Sequence, residues 1–529
     1  MTRWWQGAVI YQVYPRSFLD TNGDGVGDLK GVTDRLDYIA DLGVDGIWLS
    51  PFFTSPMRDF GYDVADYYDV DPLFGTLADF DALLRRAHAL GLKVVIDQVC
   101  SHTSDRHPWF RDSRSGRDGD KADWYVWADA RADGSPPNNW LSVFGGPAWS
   151  WDTRRRQYYL HNFLAEQPDL NFHDPAVQDA ILDVARFWLD RGVDGFRLDV
   201  ANYYFHDAAL RDNPPSGAVD PSRPYHFQRQ LHNRSRPETL DFLARLRTLV
   251  DGYDDRMTVA EIASTAPIER SIEYTQGDRH LHTAYNFLFL DSGRLSAALI
   301  RSALTGWHSR RAWPSWSFSN HDVPRVPTRW GGPDAGPDLA KLLIALLCSL
   351  RGTIFLYQGE ELGLPQADVP FDKLRDPEAI RFWPDTLGRD GCRTPMPWRA
   401  GAAHAGFSSA HPWLPVDPRH DALAVDAQDG DPASTLTFTR GFLAFRRGLP
   451  ALRHGQVICH DTDEPVLLFE RRSPDGAVLC GFNLSGSPAR ITPPAGPGAA
   501  LEPGSGLEAT RDGDAIDMPA YGGFFLRLD

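Results

Sequence analysis

Eight short apolar runs, separated by helical stretches, constrain this chain more than any other feature. They are AVIYQVYP (8–15), DGIWLSPF (45–52), KVVIDQV (93–99), DGFRLDVA (194–201), MTVAEI (257–262), TAYNFLFL (283–290), SWSFSNHD (315–322) and TIFLYQGE (353–360). Between them lie amphipathic stretches such as DFDALLRRAHALG (79–91), PAVQDAILDVARFWLDRG (175–192), PETLDFLARLRTLVDGY (237–253) and LAKLLIALLCSLRG (339–352). Strands joined by helical crossovers pair in parallel, because each helix carries the chain back to the same end of the sheet. The pattern predicts an α/β fold, a closed (β/α)8 TIM barrel; an open doubly wound sheet would carry a phosphate-binding glycine turn, which is missing.

Three stretches break the alternation, at 103–169, 202–236 and 360–430, and each follows the C-terminal end of a strand, where such barrels keep their active sites. The first is rich in Trp and Gly and reads as a small domain inserted after strand three. After TRGFLAFRRG (439–448) the chain changes to short alternating runs, including PVLLFERR (465–472) and GAVLCGFNL (476–484), which predict an all-β C-terminal domain. The expected division is a barrel over 1–102 and 170–448, an inserted domain over 103–169, and a β-sandwich over 449–529.

A formal net charge of -17 opposes binding to nucleic acid and to anionic membrane surfaces. No apolar run reaches the length of a membrane span. Five scattered cysteines (Cys100, Cys348, Cys392, Cys459, Cys480) form neither a CxxC pair nor a metal-ligand spacing and read as reduced thiols. The N-terminus enters a strand without a basic-then-apolar leader. Together these features predict a cytoplasmic protein.

The stretch DTNGDGVGD (20–28) sets oxygen donors at alternate positions: Asp20, Asn22, Asp24, the Val26 carbonyl and Asp28. Hard divalent cations take such ligands from a tightly curled chain. The helix-loop-helix calcium module is excluded, because its closing Glu is replaced by Gly31 and a strand precedes the loop. Either a calcium or magnesium ion or an Asx-rich turn without an ion satisfies the pattern.

Several strand ends carry charge. Strand three ends in Asp97 and runs on to His102, strand four carries Arg197 and Asp199, strand five carries Glu261, and strand seven finishes in Asn320, His321 and Asp322. Barrel strand ends converge on one rim. A buried ion-pair network accounts for Asp97 and Arg197, but not for the excess of carboxylates over cations. Two nearby carboxylates suit glycoside cleavage, one as nucleophile or base and the other as proton donor, among several acid–base chemistries. Arg197, two residues before Asp199 on a strand, favours the ionised form of Asp199, and like-charge repulsion keeps a proton on Glu261.

The motifs DQVCSH (97–102), QPDLNF (167–172), GFRLDVANY (195–203), TVAEI (258–262) and FSNHD (318–322) resemble, in order, those of the α-amylase superfamily of glycoside hydrolases. Within it the chain is similar to the oligo-1,6-glucosidase and α-glucosidase group, along essentially its whole length. The resemblance implies Asp199 as nucleophile, Glu261 as general acid/base and Asp322 as the third carboxylate that holds sugar hydroxyls. It implies substrate contacts from His102, His321 and Arg197, a stacking role for Tyr62, and an Asp59–Arg393 pair that blocks the far end of the pocket and selects a terminal glucose. Phe144 and Phe163 are candidate aromatic walls. DTNGDGVGD is similar to the group's structural metal loop, and no organic cofactor is implied.

Departures are Ser101 where the family usually has Asn, Phe60 where Asn is frequent, and Pro397 where Gln is frequent. Ser101 removes part of the second calcium site of amylases. Val200, directly after Asp199, is typical of members that accept α-1,6 linkages. The function expected is an exo-acting, retaining α-glucosidase of short α-glucosides that also transfers glucose. The alternatives are a sucrose- or maltose-converting glucosyltransferase or isomerase of the same family, and a non-catalytic scaffold like the heavy chains of amino-acid transporters.

Overall fold

The computed structural model describes residues 3–219, 223–307, 312–494 and 499–528. Eight strands close a parallel barrel: β1 (Val9–Val13), β2 (Gly46–Leu49), β3 (Lys93–Gln98), β4 (Gly195–Leu198), β5 (Met257–Ile262), β6 (Thr283–Asn286), β7 (Trp313–Ser317) and β8 (Thr353–Tyr357). Each pairs with its sequence neighbours, and β8 closes on β1 through Val9↔Ile354 to Gln12↔Tyr357. This is the (β/α)8 class that the alternation predicts. All six residues of β5 are buried, as expected of a strand covered on both faces. Gly195 opens β4 because a Cβ there would lie 2.3 Å from the Met257 carbonyl oxygen of the adjacent strand.

The surrounding helices begin and end where local chemistry dictates. α1 (Leu77–Ala89) starts at a Thr76/Asp79 capping box. α2 (Pro175–Arg191) starts with Asp174 as N-cap and proline in its first turn, and stops at Gly192, whose φ of 105° places it in the left-handed region. α3 (Thr239–Val250) and α4 (Pro337–Ser349) bury apolar stripes against the barrel.

Between β3 and α2 the chain builds a three-stranded antiparallel sheet from Trp127–Ala128, Gln157–Leu160 and Trp149–Asp152, around a core of Val126, Trp140, Ala148, Trp149 and Leu160. Backbone pairing of His102 with Asp169 brings the start and end of this excursion together. The C-terminal region is all antiparallel. A four-stranded sheet (Gln456–His460, Val466–Ser473, Gly476–Asn483, Gly523–Leu528) faces a three-stranded one across Val466, Leu468, Leu479, Ile516, Met518, Phe524 and Leu526. Among the described residues no helix is long and apolar enough to cross a membrane. All five cysteines are free.

Candidate active site

Three carboxylates, from β3, β5 and the end of β4, meet around one guanidinium. Asp97 on β3 lies in register with Arg197 on β4, and Glu261 on β5 lies in register with Tyr285 on β6. Arg197 Nη1 contacts Asp199 Oδ1 at 2.6 Å and Asp97 Oδ1 at 2.8 Å, while its Nη2 contacts Glu261 Oε2 at 2.6 Å. Its Nε and Nη2 also donate to the Tyr285 hydroxyl, at 3.1 and 2.9 Å. The fork is fully buried and pairs with three carboxylates at once.

This sharing alters the electrostatics expected from sequence. Arg197 serves more than Asp199, and burial pushes Asp199 up to about 7 against the pull of the guanidinium. Glu261 rises to about 8, first through burial and then through the charges of Asp199 and Asp322; desolvation, more than like-charge repulsion, keeps its proton. Burial also lifts Asp97 to about 6. Asp322 behaves oppositely: against the upward push of burial, His321, Arg393 and Arg389 hold it well below the usual carboxylate range. At neutral pH the cluster therefore offers both a protonated carboxyl and ionised oxygens.

The turn after Asp199 is set by the backbone. Val200 adopts the left-handed region at φ 36°, ψ 51°, unusual for a β-branched residue, and its N–H reaches Glu261 Oε2 at 3.1 Å. After β7, Asn320 Oδ1 accepts the N–H groups of Asp322 (2.8 Å) and Val323 (3.2 Å), which turns Asp322 toward the cluster's arginines. Arg393 holds it there, with Nη2 on Asp322 Oδ1 at 2.7 Å and Nε on the His321 carbonyl at 2.6 Å.

Tyr62 stacks flat on His321, with centroids 5.5 Å apart and planes at 5°, and its hydroxyl meets both His321 Nε2 and Asp97 Oδ2. Gln12 on β1 meets His321 Nδ1 at 2.8 Å. His102 contacts Ser101 Oγ through Nδ1 at 2.8 Å, and the Tyr62 carbonyl through Nε2 at 3.1 Å. Burial lowers His102 to about 4 and His321 to about 3, so both are neutral at pH 7. Phe163 packs on His102 with centroids 5.2 Å apart, and Phe144 lies under the Arg389 guanidinium at 5.1 Å.

One expected pairing is corrected. Asp59 bonds to Arg389 (2.8 Å), not to Arg393, whose Nη2 and Nε go to Asp322 and the His321 carbonyl. The short helical turn Asp390–Cys392 separates the two arginines and sends Arg389 to Asp59 and to Asp376, 2.7 Å away. Arg389, Asp376, Gln12, Gln167 and Tyr285 were not identified from sequence. The nearness of Arg389 to Arg393 in GRDGCR, and the place of Gln167 at the head of QPDLNF, were the available signals.

The DTNGDGVGD loop follows β1 and folds through Asx turns. Asp20 Oδ1 accepts the N–H of Asn22 (3.0 Å) and Gly23 (2.7 Å), Asn22 Oδ1 accepts that of Asp24 (2.9 Å), and Asp24 Oδ1 accepts that of Val26 (2.8 Å). Asp28 caps the helix Leu29–Asp34 by accepting the Gly31 N–H at 2.7 Å. The donors are all hard oxygens and so fit a calcium or magnesium ion chemically. Among the described residues no group of three or more His, Cys, Asp or Glu is gathered for a metal, so a cation in this loop needs the Asn22 amide and the Val26 carbonyl as well.

Residues 12–455 match the catalytic domain of the α-amylase family. The chain is 53% identical to a probable α-glucosidase of Rhizobium meliloti, over 99% of this chain and 97% of that one. It is 37% identical to an oligo-1,6-glucosidase of Heyndrickxia coagulans, over 92% and 93% of the two chains. Among solved structures it superposes on an α-glucosyl transfer enzyme, XgtA, with a TM-score of 0.97 and 54% identity, covering both chains completely. The trehalulose synthase MutB of Pseudomonas mesoacidophila matches with a TM-score of 0.90 and 31% identity, again over both full chains. The chain belongs to the α-amylase family and is a glycoside hydrolase.

Proposed function

We propose that this enzyme is an exo-acting, retaining α-glucosidase that releases α-glucose from the non-reducing ends of short α-glucosides and also transfers glucose to acceptors other than water. The observation that carries the reading is the placement of Asp199 and Glu261 on the two terminal nitrogens of one guanidinium, each at 2.6 Å. Carboxyls held on one fork favour the separation of about 5–5.5 Å used for covalent displacement over the wider gap that an attacking water needs. Asp199 attacks the anomeric carbon while Glu261 gives its proton to the departing oxygen. The resulting β-glucosyl ester on Asp199 is then opened by water or a sugar hydroxyl, whose proton returns to Glu261. Asp322, ionised and anchored by Arg393, binds sugar hydroxyls through the distorted transition state. The Asp59–Arg389–Asp376 group closes the far end, which supports action on a terminal glucose.

Trapping with 5-fluoro-α-glucosyl fluoride tests the covalent step: mass spectrometry should find the label on the peptide containing Asp199. A label elsewhere, or none with an active preparation, contradicts it. Sucrose isomerisation is the same double displacement with the released sugar as acceptor, and the likeness to a trehalulose synthase favours including sucrose among the substrates tested. The oxygen-rich loop after β1 is read as a structural site for calcium or magnesium. The free cysteines fit a reducing, cytoplasmic setting.

A further inference from the structure

Four buried polar side chains outside the carboxylate cluster form a line that the chemistry above does not use. Asn213, Asn233, Asn162 and Asp169 are each at most 3% exposed. Asn213 Nδ2 donates to Asn233 Oδ1 (3.0 Å), Asn233 Nδ2 donates to Asn162 Oδ1 (3.0 Å), and Asn162 Nδ2 donates to Asp169 Oδ2. The Asn213 end fixes the direction. Asn213 Oδ1 accepts the N–H groups of Leu231 and His232, each at 3.0 Å, so its nitrogen must face Asn233. At the other end both oxygens of Asp169 accept, Oδ2 from the Asn162 side chain and Oδ1 from the Asn162 backbone N–H at 3.2 Å. Three amide dipoles thus run head to tail onto a carboxyl that burial pushes up to about 7, against the hydrogen bonds from Asn162. Aligned amides in a low-dielectric interior reinforce one another.

The line joins the loop after β4 to the segment after β3, and its members adjoin residues of the pocket wall. Phe163, next to Asn162, packs between His102 (5.2 Å) and Tyr203 (5.4 Å). Arg234, next to Asn233, donates to the Tyr203 hydroxyl at 2.9 Å. Gln167, two residues before Asp169, donates to Asp59 at 3.2 Å.

We propose that Asn162, Asn233 and Asp169 are positioning residues: their one-way amide line locks the chain after β4, at Asn213 and Asn233, to the inserted domain and holds the Phe163–Tyr203 wall in register with the glucoside pocket. The kinetic part of this inference rests on the α-glucosidase reading, while the structural part rests on geometry alone.

The test is a cycle of Asp169→Asn, Asn162→Asp and the double variant. In Asp169→Asn one buried N–H of Asn162, backbone or side chain, loses its acceptor. In Asn162→Asp two carboxylates face each other. The double variant restores the line with the charge moved one link along, since the carboxylate now at position 162 accepts both from Asn233 and from the amide now at position 169. The expected result for each single variant is a KM for maltose raised about tenfold with kcat within about twofold, the scale of one buried hydrogen bond. Amide hydrogen exchange over 228–236 should accelerate, and the double variant should recover both readouts. Single variants with wild-type KM and exchange, or a double variant that recovers neither, overturn the proposal. If Asp169→Asn does not fold, Asn233→Ala cuts the line from the loop side and is read by exchange in the same way. A wild-type enzyme that turns over no α-glucoside refutes the glucosidase reading instead, and the exchange data still decide on the amide line.

Discussion

Arg389 Nη2 lies 2.8 Å from Asp59 Oδ1 and 2.7 Å from Asp376 Oδ1, so one guanidinium satisfies two buried carboxylates beside the Arg197 cluster. Removing it strands both. Arg389→Ala should cost about 3–5 kcal/mol of stability, as expected when a buried ion pair loses one partner. Urea denaturation measures that loss. Activity on maltose should fall by on the order of 100-fold because the wall that positions the sugar relaxes. Arg389→Lys should recover only part of each, since an ammonium cannot reproduce the fork.

Glu261, raised to about 8, holds its proton at neutral pH and releases it as the solution becomes alkaline. The value of kcat/KM on maltose should therefore decline above about pH 8, as expected when a general acid ionises. Glu261→Gln should slow maltose hydrolysis by about 10²–10⁴-fold, the usual contribution of acid–base catalysis. With 2,4-dinitrophenyl α-glucoside, whose leaving group needs no proton, glucosylation by the variant should show no alkaline decline. A decline retained in the variant with that substrate contradicts the assignment of the acid.

Glu360, buried beyond the end of β8, is pushed up to about 8. A carboxyl whose folded-state pKa is raised binds a proton more tightly in the folded state, so its stabilising contribution is complete below the unfolded value and is lost as pH rises through the folded one. The melting temperature of the wild type should fall between about pH 4 and 8 more steeply than that of Glu360→Gln. Parallel curves from scanning calorimetry would rule out this role for Glu360.

Chelation of divalent cations should lower the melting temperature, and added calcium or magnesium should restore it. Asp24→Ala should abolish the response while leaving kcat on maltose unchanged, because the loop lies apart from the Arg197 cluster in the contacts described. A wild-type melting curve insensitive to chelator argues for an Asx-turn loop without an ion.

The barrel was legible because its strands are buried on both faces and so read as apolar runs; MTVAEI matches β5 residue for residue. Strand ends were less so, since apolar sequence continues past the point where side chains capture the backbone. TAYNFLFL overshoots β6 because Asn286 Oδ1 takes the Leu288 N–H at 3.0 Å and ends the strand. SWSFSNHD overshoots β7 where Asn320 caps the turn that carries Asp322. The motifs pointed to Asp199, Glu261 and Asp322, which the barrel gathers on one rim. The Asp59 partner was misread because Arg389 and Arg393 are alternatives that only the turn between them separates. The amide line joins residues up to 71 positions apart, and no local pattern marks it.

The most direct test of the central claim is the anomer released from maltose at early times, followed by proton NMR before mutarotation. The double displacement predicts that the glucose cut from the non-reducing end appears first as the α-anomer. Early β-glucose would mean a single inverting displacement and would contradict the roles of Asp199 as nucleophile and Glu261 as acid/base.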